Sequence, residues 1–137
     1  MRLVVVDASA LVEYLLRTDR AGPIEMVITA PDTDLHVPAL CDVEVSAALR
    51  RALRIGTADE GRALDALEDY LDLPLTTHGH RTLVHRIVAL RENFSAYDAT
   101  YVALAERMGA ALLTADQALI RAVRRHALVE VASHEDP

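Results

Sequence analysis

This chain of 137 residues contains no lysine and no tryptophan, one cysteine, one phenylalanine and five glycines. Each shortage excludes something. A lone Cys41 cannot form an internal disulfide, fits a reducing compartment, and reads as a small buried hydrophobe beside Leu40. No apolar run reaches the ~18 residues of a spanning helix, so no membrane segment is expected. Asp7 interrupts the first apolar run, Leu3-Val4-Val5-Val6, which argues against a secretory signal. The expected location is the cytoplasm. The few glycines form neither a P-loop nor a Gly-x-Gly-x-x-Gly turn, so no phosphate-cradling loop is present.

What the chain does hold is a large apolar fraction, 52%, rich in alanine, valine and leucine. That is ample for a packed core in a chain of this length, and no linker or repeat interrupts it. The reading is one domain over residues 1–137, with a short polar tail from about Ser133. Formal net charge is −7, which taken alone speaks against a polyanionic partner. Against that, every fixed cation is an arginine, the better phosphate fork. The arginines also cluster, as Arg50-Arg51-Arg54 and as Arg121-Arg124-Arg125. Either cluster can equally be a solvated helix face.

Hydrophobic spacing predicts alternating strands and helices. Strands are expected at Arg2–Val6, Leu35–Pro38, Ala111–Thr114 and Leu128–Val131, with a proline-bearing edge strand at Leu73–Thr77. Helices are expected over 10–17, 23–30, 40–54 (ended by Gly56), from Thr57 or Asp59 to Tyr70, 80–92, 95–108 (closed by Gly109) and 116–125. This alternation indicates an α/β fold with a mainly parallel central sheet.

In such sheets, sites form beyond the carboxyl ends of the strands. Asp7 directly follows the first strand and Asp116 follows the Ala111–Thr114 strand. Glu44 lies in the first turns of the helix after Leu35–Pro38, and Asp98 in the first turn of the helix opened by Ser95. Each acid alone has an ordinary explanation. Asp7 and Asp116 suit N-caps, Ser95-Ala96-Tyr97-Asp98 has the capping-box spacing, and both Asp42 and Glu44 suit a helix N-terminus. Together they are harder to explain that way. Their neighbours are apolar or small, and an unpaired half-buried carboxylate is costly. If the four converge, each close pair repels by roughly 1–4 kcal/mol at dielectrics of 80 down to 20. Two divalent cations would balance four carboxylates, and oxygen ligands select Mg2+ or Mn2+ over zinc. Two such ions can activate water and stabilise the leaving oxygen of a phosphodiester.

Four segments in order carry a resemblance: Val4-Val5-Val6-Asp7-Ala8-Ser9-Ala10-Leu11, Val37-Pro38-Ala39-Leu40 leading to Glu44, Tyr97-Asp98-Ala99 with Ala103-Leu104-Ala105, and Leu113-Thr114-Ala115-Asp116. The chain resembles the PIN domain along nearly its whole length, in the form of VapC-type toxins of bacterial toxin–antitoxin pairs. The resemblance implies a three-layer α/β/α sandwich, Mg2+ or Mn2+ dependence, endoribonuclease activity and frequent homodimers. It also implies a cognate antitoxin whose tail occupies the active-site groove. Asp7, Glu44, Asp98 and Asp116 match the family's acidic quartet, with Asp7 and Asp98 foremost as metal ligands and Asp42 competing with Glu44. Ser9 and Thr114 match small hydroxyls that flank the pocket and would touch substrate there, with local backbone bonding as the alternative. Arg121, Arg124 and Arg125 are the candidates for gripping RNA phosphates.

The six histidines make no rival site by spacing: His78 and His80 flank Gly79 in an expected loop without an evident third ligand. His36, His85, His126 and His134 read as scattered. Receiver domains and aspartate-nucleophile phosphatases also place an Asp after the first strand. They call for a lysine, which is missing, and the phosphatases for Asp-x-Asp, where this chain has Asp7-Ala8-Ser9. The remaining alternative is a catalytically inactive PIN-like binding or assembly module.

Overall fold

A computed structural model describes residues 1–126 and 128–133. The elements run β1 (Arg2–Val6), α1 (Ala8–Leu15), α2 (Ala21–Ile28), β2 (Thr33–Pro38), α3 (Leu40–Ile55), α4 (Glu60–Asp72) and β3 (Leu75–His78). A 3-10 turn (Arg81–Leu83) then leads into α5 (Val84–Ala89), followed by α6 (Ala96–Met108), β4 (Ala111–Leu113) and α7 (Gln117–His126). The strands form one parallel sheet in the order β3-β2-β1-β4.

The parallel order fixes the layers. Crossovers from β1 to β2 and from β2 to β3 step the same way across the sheet. With right-handed connections, α1 to α4 therefore lie on one face. The crossover from β3 to β4 steps back, which puts α5 and α6 on the other. Packing agrees with this: α1 meets α2, α3 and α4, whereas α6 lies on β1, β2 and β4 with α5 against it. The expected α/β/α sandwich is the fold observed. β1 sits between two neighbours, and Val4, Val5 and Val6 are sealed from solvent. Tyr101, Leu11, Leu104 and Leu112 complete the centre of the core.

Most predicted boundaries hold within two or three residues, and the departures have local causes. Instead of continuing to Arg17, α1 stops at Leu15. There Arg17 N–H bonds the Tyr14 carbonyl, Thr18 N–H bonds the Glu13 carbonyl, and Arg17 takes a left-handed φ of 52°. This is a Schellman turn built without its usual glycine. The conventional version ends α6, where Gly109 has φ 64°. The predicted helix over 80–92 is a 3-10 turn joined to a six-residue α5, with Leu83, Ile87 and Leu90 as the face packed on the core. The predicted strand at Leu128–Val131 contracts to one bridge, Leu112 to Val131. Its hydrogen bonds, Leu112 N–H to Glu130 and Ala132 N–H to Leu112, use up the middle residue of the three-residue β4. β2 begins at Thr33, two residues before the expected start at Leu35, and so takes in Asp34. The polar tail beyond Ser133, with His134, lies outside the described residues.

Candidate active site

Asp7 is the residue at which β1 becomes α1. Its N–H bonds the Leu113 carbonyl at 2.8 Å, extending the β1–β4 ladder, while its carbonyl accepts from Ala10 and Leu11 and starts the helix. The backbone thus occupies the N-cap position, but the carboxylate makes no capping bond. Oδ2 instead accepts two hydroxyls, Ser9 Oγ and Thr114 Oγ1, each at 2.7 Å. Only 7% of Asp7 is exposed. Burial raises its pKa, the two hydroxyls oppose that, and the charge of Asp116 adds to the rise.

The hydroxyls are themselves pinned. Ser9 Oγ accepts from Ala115 N–H at 3.0 Å and Thr114 Oγ1 from Asp116 N–H at 3.1 Å. Thr114 is buried. These two residues, expected to flank the pocket and touch substrate, hold Asp7 and tie it to the 114–116 turn. Asp116 lies at the exposed start of α7, where Oδ1 accepts from Ala118 and Leu119 N–H. The capping explanation therefore applies to Asp116 and fails for Asp7.

Asp98 reaches the same region from α6. Ser95 caps that helix, accepting from Asp98 N–H at 3.1 Å. The half-buried Asp98 carboxyl is pushed up by burial and then by the charges of Asp7 and Asp116. Glu44, from α3, responds to burial first and then to Asp7 and Asp98; the Tyr101 hydroxyl, donating to Oε1 at 2.7 Å, pulls the other way. All four acids are thus joined electrostatically although they come from four elements. Among the described residues, no arginine or histidine forms an ion pair with any of them. Asp42, the competing acid on α3, turns outward and accepts from Tyr70 OH at 2.6 Å on α4.

Two contributors escaped the sequence reading. Tyr101 is one helical turn beyond Asp98 on the same face of α6, and that spacing was the available signal. Its buried hydroxyl, raised in pKa by its surroundings, orders Glu44 and faces the fully buried Cys41, whose thiol burial pushes up to about 11. Arg20, in the turn before α2, donates to the Ala115 carbonyl at 2.6 Å and so braces the turn carrying Thr114 and Asp116. Nothing local in sequence signals a contact 95 residues away. Arg121, Arg124 and Arg125 are exposed on α7; of these, Arg124 lines a cleft that reaches Thr114 and Ala115. Arg50, Arg51 and Arg54 are exposed on α3.

The histidines are less scattered than their spacing suggests. His36 on β2 and His78 on β3 are diagonal neighbours across a parallel pair, and His36 Nδ1 lies 2.9 Å from His78 Nε2. Asp34 Oδ2 stands 2.9 Å from His36 Nε2, a close contact rather than an aligned hydrogen bond. Burial, then His36, lowers the pKa of His78. His80 accepts from Leu40 N–H and serves the start of α3. Among the described residues, no three histidine, cysteine or acidic side chains already enclose an ion position.

Comparison with known proteins gives a consistent picture. The PIN domain family profile matches residues 4–125. Ribonuclease VapC3 of Mycobacterium tuberculosis is 41% identical over 120 residues, spanning 87% of this chain and 86% of the relative. The solved structure of M. tuberculosis VapC20, described as a sarcin–ricin loop cleaving toxin, superposes with a TM-score of 0.70 at 17% identity, covering 93% of this chain and 98% of that one. VapBC2 from Rickettsia felis, solved bound to a DNA fragment from its promoter, gives 0.70 at 11% identity, covering 95% and 97%.

Proposed function

The chain belongs to the PIN-domain family, and on that premise we propose that it is an endoribonuclease toxin whose active site is Asp7, Glu44, Asp98 and Asp116. The observation that carries the reading is a cluster of four acids at the carboxyl edge of a parallel sheet, three with raised pKa, and no counter-cation among the described residues. A structural cluster would be expected to neutralise itself; this one is left in deficit.

The donor set suits a hard divalent cation, Mg2+ or Mn2+, because it offers only carboxylate and hydroxyl oxygens. Asp7, Asp98 and Asp116 would hold it. Asp116 would do so through Oδ2, since its cap bonds to the α7 amides use only Oδ1. Once bound, such an ion supplies charge neutralisation at the phosphate and a more acidic water.

The protein's own part is positioning. Ser9 and Thr114 hold Asp7 Oδ2, so that its other oxygen faces the site in a fixed orientation. Tyr101 engages Glu44 Oε1, leaving Oε2 to orient the attacking water and take its proton. In-line attack by water leaves a 5′-phosphate and a 3′-hydroxyl. The substrate is a structured cellular RNA, the partner a cognate antitoxin and a second copy of the chain, and the setting the cytoplasm.

The test is cleavage of total cellular RNA by the purified chain with Mg2+ or Mn2+, with 5′-end sequencing of the products. Cleavage that EDTA and Asp7→Asn abolish, with 5′-phosphate ends, is the expected result. Undiminished cleavage by Asp7→Asn sinks the site, and 2′,3′-cyclic phosphate ends sink the mechanism. No cleavage of any RNA would favour an inactive binding module.

A further inference from the structure

Beside the acidic cluster lies a second concavity with the opposite character. A cleft of about 380 Å3 runs between the turn before α2, α2 itself, and α7, and its inner end is formed by Thr114 and Ala115. That volume is within the ~300–1,000 Å3 range of clefts that take small ligands. Its walls divide by chemistry. Pro23, Ile24 and Ile120 give an apolar side, and Arg20 and Arg124 give two guanidinium groups; Asp19 and Gln117 stand among the polar lining.

The two arginines are available in different ways. Arg124 is exposed and makes no ion pair or hydrogen bond with the described residues. Arg20 is anchored by one amino group on the Ala115 carbonyl at 2.6 Å, with Glu13 at 3.9 Å from the other, and half of its side chain remains exposed. An anchored guanidinium with free donors loses little freedom on meeting an anion. Its anchor point adjoins both Thr114, which holds Asp7, and Asp116. In a chain of net charge −7, an arginine without an ion-pair partner among the described residues and a second paired only at 3.9 Å, beside a carboxylate cluster, define a local field that a phosphodiester would follow.

We infer that this cleft seats the nucleotide next to the cleaved phosphate, with its phosphate on Arg124 and Arg20 and its base against Pro23, Ile24 and Ile120. This deepens the nuclease reading and rests on it. Binding of this kind reads the presence of a base and a phosphate, because apolar walls accept any base face. Selectivity for one RNA then comes from which strand can lay an unpaired nucleotide into the cleft.

Binding can be separated from cleavage. In the full-length chain carrying Asp7→Asn, with EDTA present, affinity for a fluorescein-labelled 12-nucleotide single-stranded RNA is measured across a salt series. Adding Arg124→Ala or Arg20→Ala should weaken binding about tenfold and reduce the salt slope by about 0.7 each. Ile120→Asp should cost about tenfold and remove the preference for intact RNA over one carrying an abasic residue beside the scissile bond. Arg91→Ala, on an exposed turn elsewhere, should change neither. In the unmutated background Arg124→Ala should raise KM with kcat held. Unchanged affinity and slope for both Arg124→Ala and Ile120→Asp overturns the nucleotide seat, even if the chain proves a nuclease. Altered affinity with no cleavage by the unmutated chain keeps the seat and rejects the nuclease.

Discussion

At the carboxyl ends of β1 and β4, Asp7 lies among two hydroxyls and the fields of three other acids. On the adjoining strands β2 and β3, His36 lies between Asp34 and His78, within β2 rather than beyond its carboxyl end. Both are polar clusters on one parallel sheet, but only the acidic one sits beyond the strand ends, the address where such sheets place their sites. The histidine cluster pairs ring with ring and has a carboxylate close by, with His36 Nε2 left without an aligned hydrogen bond. The acidic cluster satisfies one oxygen of Asp7 well and leaves the summed negative charge unanswered. Position on the sheet and charge balance therefore agree: the cluster beyond the strand ends is the one left in deficit.

The comparison breaks most readily at Asp7. Asp7→Asn should lower the cleavage rate by roughly a thousandfold, about 4 kcal/mol of transition-state stabilisation. His36→Leu should leave the rate per folded molecule within a few-fold. Steady-state cleavage of a labelled RNA decides this, and a dead but folded His36→Leu protein would mean that the histidine cluster takes part.

Tyr101→Phe offers a finer cut through the acidic side. It removes the one bond that lowers the pKa of Glu44, so the acid limb of the pH–rate profile should move to higher pH. The loss in rate should be about 10- to 100-fold, as for supports behind metal-site ligands. A rate loss without movement of the limb would assign Tyr101 to packing alone.

On the histidine side the expected cost is stability. His36→Leu strands His78 Nε2 and Asp34, and urea denaturation should show a loss of about 1–3 kcal/mol. No loss would show that the pair is dispensable and would remove the contrast.

The smallest effect is on pH-dependent stability of the ion-free protein. Asp7, Glu44 and Asp98 have folded pKa values above their ordinary ones. For raised acids the folded state binds more protons, so their contribution to stability falls as pH rises from the ordinary carboxylate range through the raised values. Asp7→Asn should flatten that decline in a melting-temperature series between pH 4 and pH 8. Added Mg2+ should raise the melting temperature of the unmutated chain at pH 7 more than that of Asp7→Asn.

Much of this molecule was legible from local pattern. The β-branched run before Asp7, the cap at Asp59, the glycines at 56 and 109 and the alternation of elements place the four acids at one sheet edge. The contacts that give the acids their states were not legible, because they join distant segments: Tyr101 to Glu44 across 57 residues, Thr114 to Asp7 across 107, and Arg20 to Ala115 across 95. The pairing of His36 with His78 needed the β2–β3 register, which the spacing of His78 and His80 around Gly79 does not encode. Local chemistry also misled at Arg17, where a side chain occupies a turn that glycine would mark.

The double tethering of Asp7 has a consequence for hydrogen exchange. Its amide is held by the Leu113 carbonyl within the sheet while its own carbonyl starts α1, so that amide should exchange only when strand and helix open together. Ala118 and Leu119 amides, by contrast, are protected by a single carboxylate oxygen of Asp116. Titration with Mg2+ taken by Asp116 Oδ2 should therefore leave the Asp7 amide silent and those two amides at their former rates. The site would load without unfastening either the end of the strand or the mouth of the helix.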